Sequence, residues 1–352
     1  MKPESLVRDP VFQLNLLLWM TKEQPQTFFV VRPWFFEQGF RLIYIEQPFA
    51  FPQSAINDID AAGLEISKAP EPEMLIGRQT DHCALYFEAK KESFASIGSS
   101  TAKQARGHLL ATGVAFSEVM SPLRSCLLCY VIPEERRELM ATCLEELTVE
   151  MTARNLSVGS SSVHGLSVQN TELHYSGDER FQQFAHVDER SIVVMEGLSD
   201  DTDPTPLFLI YSVEDYPDPK RQDLLRQALM QQVHAILVCE LNALAIGMKY
   251  TRTAESLLVN VTDGIFEYVG RTRQKQMRDF VRSAVLRRIA DYSRQRFDDI
   301  VTLDRWELSV SFPSNDRKSA FLEWIEDHKK SGFSTSRTPQ TTRSLFDEDG
   351  NA

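Results

Sequence analysis

Two short stretches carry residues that could do chemistry together. Pro72-Glu73 heads one apolar run, and Glu88-Ala89-Lys90 ends the next. Between them the apolar pattern lapses at Gln79-Thr80-Asp81-His82, the expected turn of a hairpin. With the turn there, Glu73 falls opposite Glu88, Leu75 opposite Tyr86 and Ile76 opposite Leu85. Side chains alternate along a strand. One face then carries Met74, Ile76, Cys83, Leu85, Phe87 and Ala89, and the other Glu73, Tyr86, Glu88 and Lys90. Directly opposed Cβ atoms sit about 4.5–5.5 Å apart, so two carboxylates converge with a lysine one pleat away. Like charges that close repel. A divalent cation reverses the sign, because carboxylate oxygens are hard ligands for Mg²⁺. The competing reading is a solvated outer face with a Glu-Lys ion pair worth at most about 1 kcal/mol. That face would strand Leu75 and Tyr86 in water unless a helix or a cleft covers them.

The flanking sequence supplies the elements that must hold this pair. Ser5–Met20 has the spacing of an amphipathic helix, and Phe40–Ile45 reads as a strand. After the hairpin, Gly98-Ser99-Ser100-Thr101 offers N-cap chemistry for a helix to about Phe116. Ser125–Ile132 is an apolar strand. Pro133-Glu134-Glu135 opens a helix to about Asn155, with proline at the entry and acids in the first turn. Val158–Gly165 is expected as a Ser- and Gly-rich loop and Gly165–Tyr175 as a strand. Strand, hairpin, helix, strand and helix make an α/β core around a mixed sheet. Farther on, the pattern predicts strands at Leu207–Val213, Ser256–Val261 and Glu307–Phe312. It predicts helices at Pro219–Leu244, Arg271–Arg296 and Arg317–Lys329. The tail from Ser331 is expected to be disordered.

Pro72-Glu73, the apolar strand and Glu88-Ala89-Lys90 resemble the PD-(D/E)xK motif of the restriction-endonuclease-like nuclease superfamily. The following helix resembles the one that, in the RecB-like branch, carries a glutamine and, four residues on, a tyrosine. Here these positions are Gln104 and His108, which share a helix face. Glu73 stands where the family usually has aspartate. The resemblance covers roughly residues 30–175. It implies a nuclease-like domain over 1–175; the rest of the chain, which the resemblance does not explain, reads from its pattern as an α/β region over 176–330 with a basic helix and a tail over 331–352. It also implies metal-dependent hydrolysis of phosphodiester bonds, with Mg²⁺ or Mn²⁺ held by Glu73, Glu88 and the backbone carbonyl of Ala89. Lys90 would act on the attacking water or the scissile phosphate, and Gln104 would position substrate or lysine. The additional acid that this superfamily often draws from a preceding helix would be Glu37. Asp81 is rejected as the first acid, because seven residues along one strand span about 23 Å. A role in bacterial defence against foreign DNA, or in DNA repair, follows by analogy, and fold alone does not set function. The alternative keeps the fold without catalysis, as a scaffold or adaptor subunit of a multiprotein complex.

A net charge of −12 argues against a surface that is basic all over, but not against a local basic groove. Arg271, Lys275, Arg278 and Arg282 form such a stripe at helical spacing, opposite Met277, Phe280, Val281 and Ala284. The stripe fits contact with the phosphates of nucleic acid, DNA ahead of RNA, or pairing with a protein partner. No apolar run is long enough to span a membrane and no export signal is visible, so a cytoplasmic setting is expected. Cys126-Leu127-Leu128-Cys129 lacks a second pair of ligands and is expected to be structural. Gly159–His164 is not a nucleophilic-serine motif, and no phosphate-binding glycine loop occurs.

Overall fold

A computed structural model of the chain describes residues 3–23, 31–94, 96–198, 219–294 and 296–329. Helices α1 (Pro3–Leu6), α2 (Pro10–Met20) and α3 (Trp34–Glu37) lead to strand β1 (Arg41–Ile45). Asp9 caps α2 by accepting from the Val11 and Phe12 N–H groups, with Pro10 at the first helical position. Helix α4 (Gln53–Ala62) precedes the hairpin β2 (Met74–Arg78) and β3 (Cys83–Ala89). Leu75 pairs with Tyr86 and Ile76 with Leu85, the register expected from the alternation. Arg78 clamps the turn, its Nε donating to Asp81 Oδ1 over 3.0 Å. That hydrogen bond is the main reason the Asp81 carboxyl is held down to about 2. Asp81 is therefore an element of the turn, as its rejection from the acid pair requires.

Helices α5 (Ser100–Ala111) and α6 (Val114–Val119) follow, then β4 (Ser125–Pro133), α7 (Arg137–Ala153), β5 (Ser160–Gln169), β6 (Glu172–Ser176), α8 (Glu179–Ala185) and β7 (Ser191–Met195). The strands form one seven-stranded mixed sheet in sequential order. The β1–β2–β3 and β5–β6–β7 pairings are antiparallel, and β3–β4–β5 are parallel. Helices cover both faces around the hairpin. Leu75, Ala84 and Tyr86 pack in one core with Ala102, Ala105 and Leu109 of α5 and Leu144 of α7. On the other face Phe87 meets Phe35 of α3 with ring centroids 5.3 Å apart, and Phe35 meets Phe181 of α8. The solvated outer face is thus excluded: every residue of β2 and β3 is buried.

The chain divides into two units. The first comprises Met1–Leu225 and Thr262–Gln276, the second Arg226–Val261 and Met277–Ala352. The boundary expected at residue 175 instead falls inside β6, because β6 and β7 extend the same sheet. Helix α9 (Pro219–Ala243) is followed by β8 (Lys249–Thr253), α10 (Ala254–Val261), α11 (Arg271–Val281), a π-helical turn Arg282–Leu286 and α12 (Arg287–Ser293). Strands β9 (Val301–Asp304) and β10 (Glu307–Ser311) and helix α13 (Asn315–Lys329) complete the described residues. The second unit is α/β, with a three-stranded antiparallel sheet in the order β8-β10-β9. Glu240 of α9 ties to β8 by accepting from Arg252 Nη2 over 2.8 Å.

Several expectations are corrected. Val158–Gly165 is not a loop: Ser160–Gln169 is the strand β5, because β4 and β6 pair with it on both sides. The buried Ser162 hydroxyl finds a partner, donating to Asp178 over 2.7 Å. Gly165–Tyr175 is not one strand. It turns at Asn170-Thr171, both left-handed at φ 49° and 68°, the geometry of a two-residue hairpin turn. The helix expected to Phe116 breaks at Gly113, where a Cβ would lie 2.3 Å from the Ser157 carbonyl oxygen. Ser256–Val261 is helical, not extended. Thr253 Oγ1 accepts from the Ser256 N–H and Ser256 Oγ from the Thr253 N–H, a reciprocal cap that starts α10. Leu207–Val213, most of Thr27–Val31 and the tail from Ser331 lie outside the described residues. Among the described residues no helix is long and apolar enough to cross a membrane.

Asp81→Asn tests the turn clamp. The folded-state value of Asp81 is depressed below its ordinary 3.8, so its stabilisation is full above that value and is lost as pH falls through about 2. The pair is partly solvent-screened, so the variant should lose about 1 kcal/mol at pH 7. Urea midpoints measured from pH 7 down to 2 should show the gap closing at the acid end.

Candidate active site

Three parts of the backbone hold the predicted residues at one end of β3. The Glu73 N–H donates to the carbonyl of Phe87, the residue already paired with Met74, over 3.1 Å, so the chain leaves the hairpin register by one residue at Glu73. Glu73 is close enough to Glu88 for the two carboxyls to act on each other, and the Ala89 amide is directed at it. The Lys90 N–H donates to Val131 of β4 over 2.8 Å. The Lys90 carbonyl accepts from Gln13 Nε2 of α2 over 3.3 Å. Sheet and helix together fix the backbone from which the lysine projects.

The Glu88 carboxylate lies out of water, with Glu73 and Lys90 half-buried near it. Glu88 is 1% exposed, and Lys90 Nζ donates to its Oε1 over 2.5 Å. The other oxygen, Oε2, is buried without a hydrogen-bond partner, and so is Glu73 Oε2. Burial and then the neighbouring Glu88 charge push the Glu73 carboxyl well above its ordinary range, against weaker pulls from Lys90 and the Ala89 amide. For Lys90, burial favours the neutral amine, but the Glu88 and Glu73 carboxylates overcome it and the net shift is upward. Lys90 is therefore an ammonium at neutral pH.

Helix α5 covers this end of the sheet. Ser99 caps it, its Oγ accepting from the Ala102 N–H over 3.2 Å. Of its two candidate side chains, His108 is the one brought to the pair. It is fully buried, with Nδ1 2.8 Å from the Tyr86 hydroxyl and Nε2 3.6 Å from Glu88 Oε2. Burial lowers its pKa, so the imidazole is neutral. Gln104 is half-buried, and its side chain makes no hydrogen bond to a described residue. Ala89 is buried, and its amide is directed at Glu73.

Three further charged residues belong to this neighbourhood. Glu46 follows β1 in the left-handed region at φ 47° and donates its N–H to the Pro72 carbonyl over 3.1 Å. Arg273 grips the Glu46 carboxylate in a two-pronged pair, with Nη2 2.6 Å from Oε1. Glu71 lies within reach of both Arg273 and Glu88; burial raises its pKa, and the Arg273 and Glu88 charges pull in opposite senses. Arg273 arrives on the Thr262–Gln276 segment, which returns to the first unit from a distant part of the chain. Gly270 makes that possible: its N–H donates to the Ile45 carbonyl over 2.8 Å, and a Cβ there would lie 1.9 Å from the Glu46 carbonyl oxygen. Glu37, expected as the additional acid, is exposed and paired with Arg32 over 3.1 Å. Glu46 is the acid whose charge reaches Glu73.

The basic stripe is less uniform than its spacing implies. Arg271 and Lys275 are exposed on the part of α11 within the first unit. Arg278 and Arg282, in the second unit, have acidic neighbours, Glu255 at 3.5 Å and Asp279 at 3.2 Å. The cysteines are free, and burial raises the Cys126 and Cys129 thiols, in line with a structural role.

Among the described residues, no group of three or more His, Cys, Asp and Glu side chains could hold a metal ion. The Glu73–Glu88 pair does fit a cation that needs fewer protein ligands. Two carboxylate oxygens lack partners, and Glu46, Glu71, Glu73 and Glu88 against Lys90 and Arg273 leave a formal charge of −2 when all are ionised. Mg²⁺ is usually held by one or two carboxylates with water and substrate phosphates, not by an all-protein cage. Compared with protein-family models, with curated proteins and with solved structures, the chain gives no significant match to any of the three.

Glu73→Gln tests this electrostatic picture in EDTA. Glu73 has a raised folded-state value, so its contribution is full below its ordinary 4.5 and is lost as pH rises from there through the raised value. Glutamine removes the cost of ionisation. The variant should melt about 2–4 °C above wild type at pH 8, the response of a domain of this size to about 1 kcal/mol. The two curves should converge below pH 4.5 when followed by circular dichroism.

Proposed function

We propose that the first unit is a divalent-metal-dependent nuclease with a restriction-endonuclease-like core. One observation carries the reading: the buried, partnerless oxygens of Glu73 and Glu88 lie beside the Lys90 ammonium at the end of β3. The order of elements supports it, since a helical segment, three antiparallel strands, a crossover helix and a parallel strand follow in turn. Glu73 and Glu88, with the Ala89 carbonyl, would hold Mg²⁺ or Mn²⁺. The bound cation would supply an activated water and charge neutralisation at the scissile phosphate. Lys90 carries a proton at rest, so it neutralises phosphate charge and holds Glu88 in orientation through its hydrogen bond. The β4 and α2 contacts at the Lys90 backbone limit where the ammonium can move. The substrate would be nucleic acid, DNA ahead of RNA. Defence against foreign DNA, or DNA repair, is the setting that the superfamily resemblance suggests.

A second reading has an observation of its own. Lys90 already neutralises Glu88 internally, and no three-ligand cluster occurs among the described residues. A nuclease-fold adaptor that has lost catalysis, and that works with a protein partner, would show the same pair.

The separating experiment incubates plasmid, linear and single-stranded DNA, and RNA, with the full chain and Mg²⁺ or Mn²⁺. Wild type should cleave at least one substrate, with EDTA abolishing activity. Glu88→Ala and Lys90→Ala should each lose about 10²-fold or more, the scale of removing one preorganised charged group. Equal inactivity of wild type and variants on every substrate would favour the adaptor.

A further inference from the structure

Beside the acid pair lies a second pair of buried polar atoms without hydrogen-bond partners, His108 Nε2 and Glu88 Oε2. They are 3.6 Å apart, in residues 0% and 1% exposed. The opposite ring nitrogen, Nδ1, is 2.8 Å from the Tyr86 hydroxyl. That contact has two possible senses, because a neutral imidazole has one donor and one acceptor nitrogen. If Nδ1–H donates to Tyr86, a bare Nε2 lone pair faces a carboxylate oxygen, and both are left as buried acceptors with no donor. If the Tyr86 O–H donates to Nδ1, the proton sits on Nε2 and points at Glu88 Oε2. Only the second sense pairs donors with acceptors. The remaining gap closes to an ordinary hydrogen bond with a shift of about 0.7 Å.

We infer that His108, oriented by the Tyr86 hydroxyl, is the positioning residue that fixes the Glu88 carboxylate for cation binding. Lys90 holds one oxygen of Glu88 from the open side, and His108 directs a donor at the other from beneath α5. A carboxylate set from both oxygens presents its remaining lone pairs in one orientation. Donors behind a metal ligand of this kind typically change metal affinity about 10–100-fold when removed. The chain Tyr86, His108, Glu88 links the middle of β3, helix α5 and the end of β3, so the covering helix does more than exclude water. This inference rests on the reading of Glu73 and Glu88 as a cation site.

Two measurements on the full chain test it and keep the two readings apart. The first is imidazole ¹⁵N NMR without metal. His108 should show a protonated Nε2 and a bare Nδ1, and Tyr86→Phe should release that preference. A protonated Nδ1 in wild type would overturn the inference whatever the metal does. The second is Mn²⁺ binding by electron paramagnetic resonance or calorimetry. His108→Gln, which keeps a terminal amide donor, should bind within about threefold of wild type, whereas His108→Met, similar in bulk but with no donor, should bind about 10–100-fold more weakly. Tyr86→Phe should weaken binding less, and should add nothing further in the His108→Met background. Equal affinity of His108→Met and wild type would show that His108 only packs. Absence of Mn²⁺ binding in wild type would overturn the cation site itself, and this inference with it. If His108→Met does not fold, Tyr86→Phe, which removes a single oxygen, decides by both measurements.

Discussion

A carboxylate taken almost wholly out of water sets the terms for the rest of the first unit. Burying an isolated charge costs several kcal/mol, and only good geometry with further hydrogen bonds offsets that cost. Glu88 meets the requirement in part. Lys90 bonds to one oxygen, while the other has no partner and faces His108 Nε2. Each structural layer bears on this residue. Strand β4 and helix α2 hold the lysine's backbone, Glu73 just before β2 adds a second carboxyl, and α5 seals the face above. Removing any of them would expose the pair to water or leave a charge unmatched.

The parallel β3–β4 pairing explains why the site forms where it does. A parallel connection needs a crossover, and α5 with α6 provides it between β3 and β4. The crossover helix must lie over one sheet face, so its inward residues fall on Tyr86 and Glu88. Ala102 and Ala105 are small enough to let it pack closely, and His108 supplies the only polar ring on that side of the helix that reaches the carboxylate among the described residues. The other end of the neighbourhood is completed from far along the chain. Thr262–Gln276 returns to the first unit, locks onto the end of β1 through Gly270, and places Arg273 on Glu46.

Much of the fold could be read directly from local pattern. The hairpin register, the cap at Ser99, the strand expected at Ser125–Ile132 and the existence of the helix after it follow from alternation, capping residues and apolar spacing, although Pro133 ends the strand and a 3-10 turn, Glu134–Arg136, precedes the helix. These signals are local, and the structure keeps them. The errors fall where context outweighs local preference. A serine-rich stretch became the interior strand β5 because two neighbours pair with it. Ser256–Val261 became a helix because a reciprocal Thr253–Ser256 cap and apolar residues at helical spacing outweighed its β-branched content. The turn at Asn170-Thr171 lacks the glycine that usually marks one.

For the candidate site, the sequence alone determined the hairpin register from Met74 to Phe87 and the position of Lys90 one pleat beyond Glu88, because two-residue periodicity and the turn fix which residues share a face. The register does not extend to Glu73, whose N–H bonds to Phe87. The sequence also placed Gln104 and His108 on one helix face. Tertiary structure alone decided which of those two reaches the acids, because the rotation of α5 over the sheet depends on packing across many residues. The extra charges were equally out of sight. Glu46, Glu71 and Arg273 are ordinary polar residues in sequence, and only the fold brings an arginine more than half the chain away onto an acid beside the hairpin. Spacing reports which side chains share a face of one element; burial and charge depend on what the other elements bring to it.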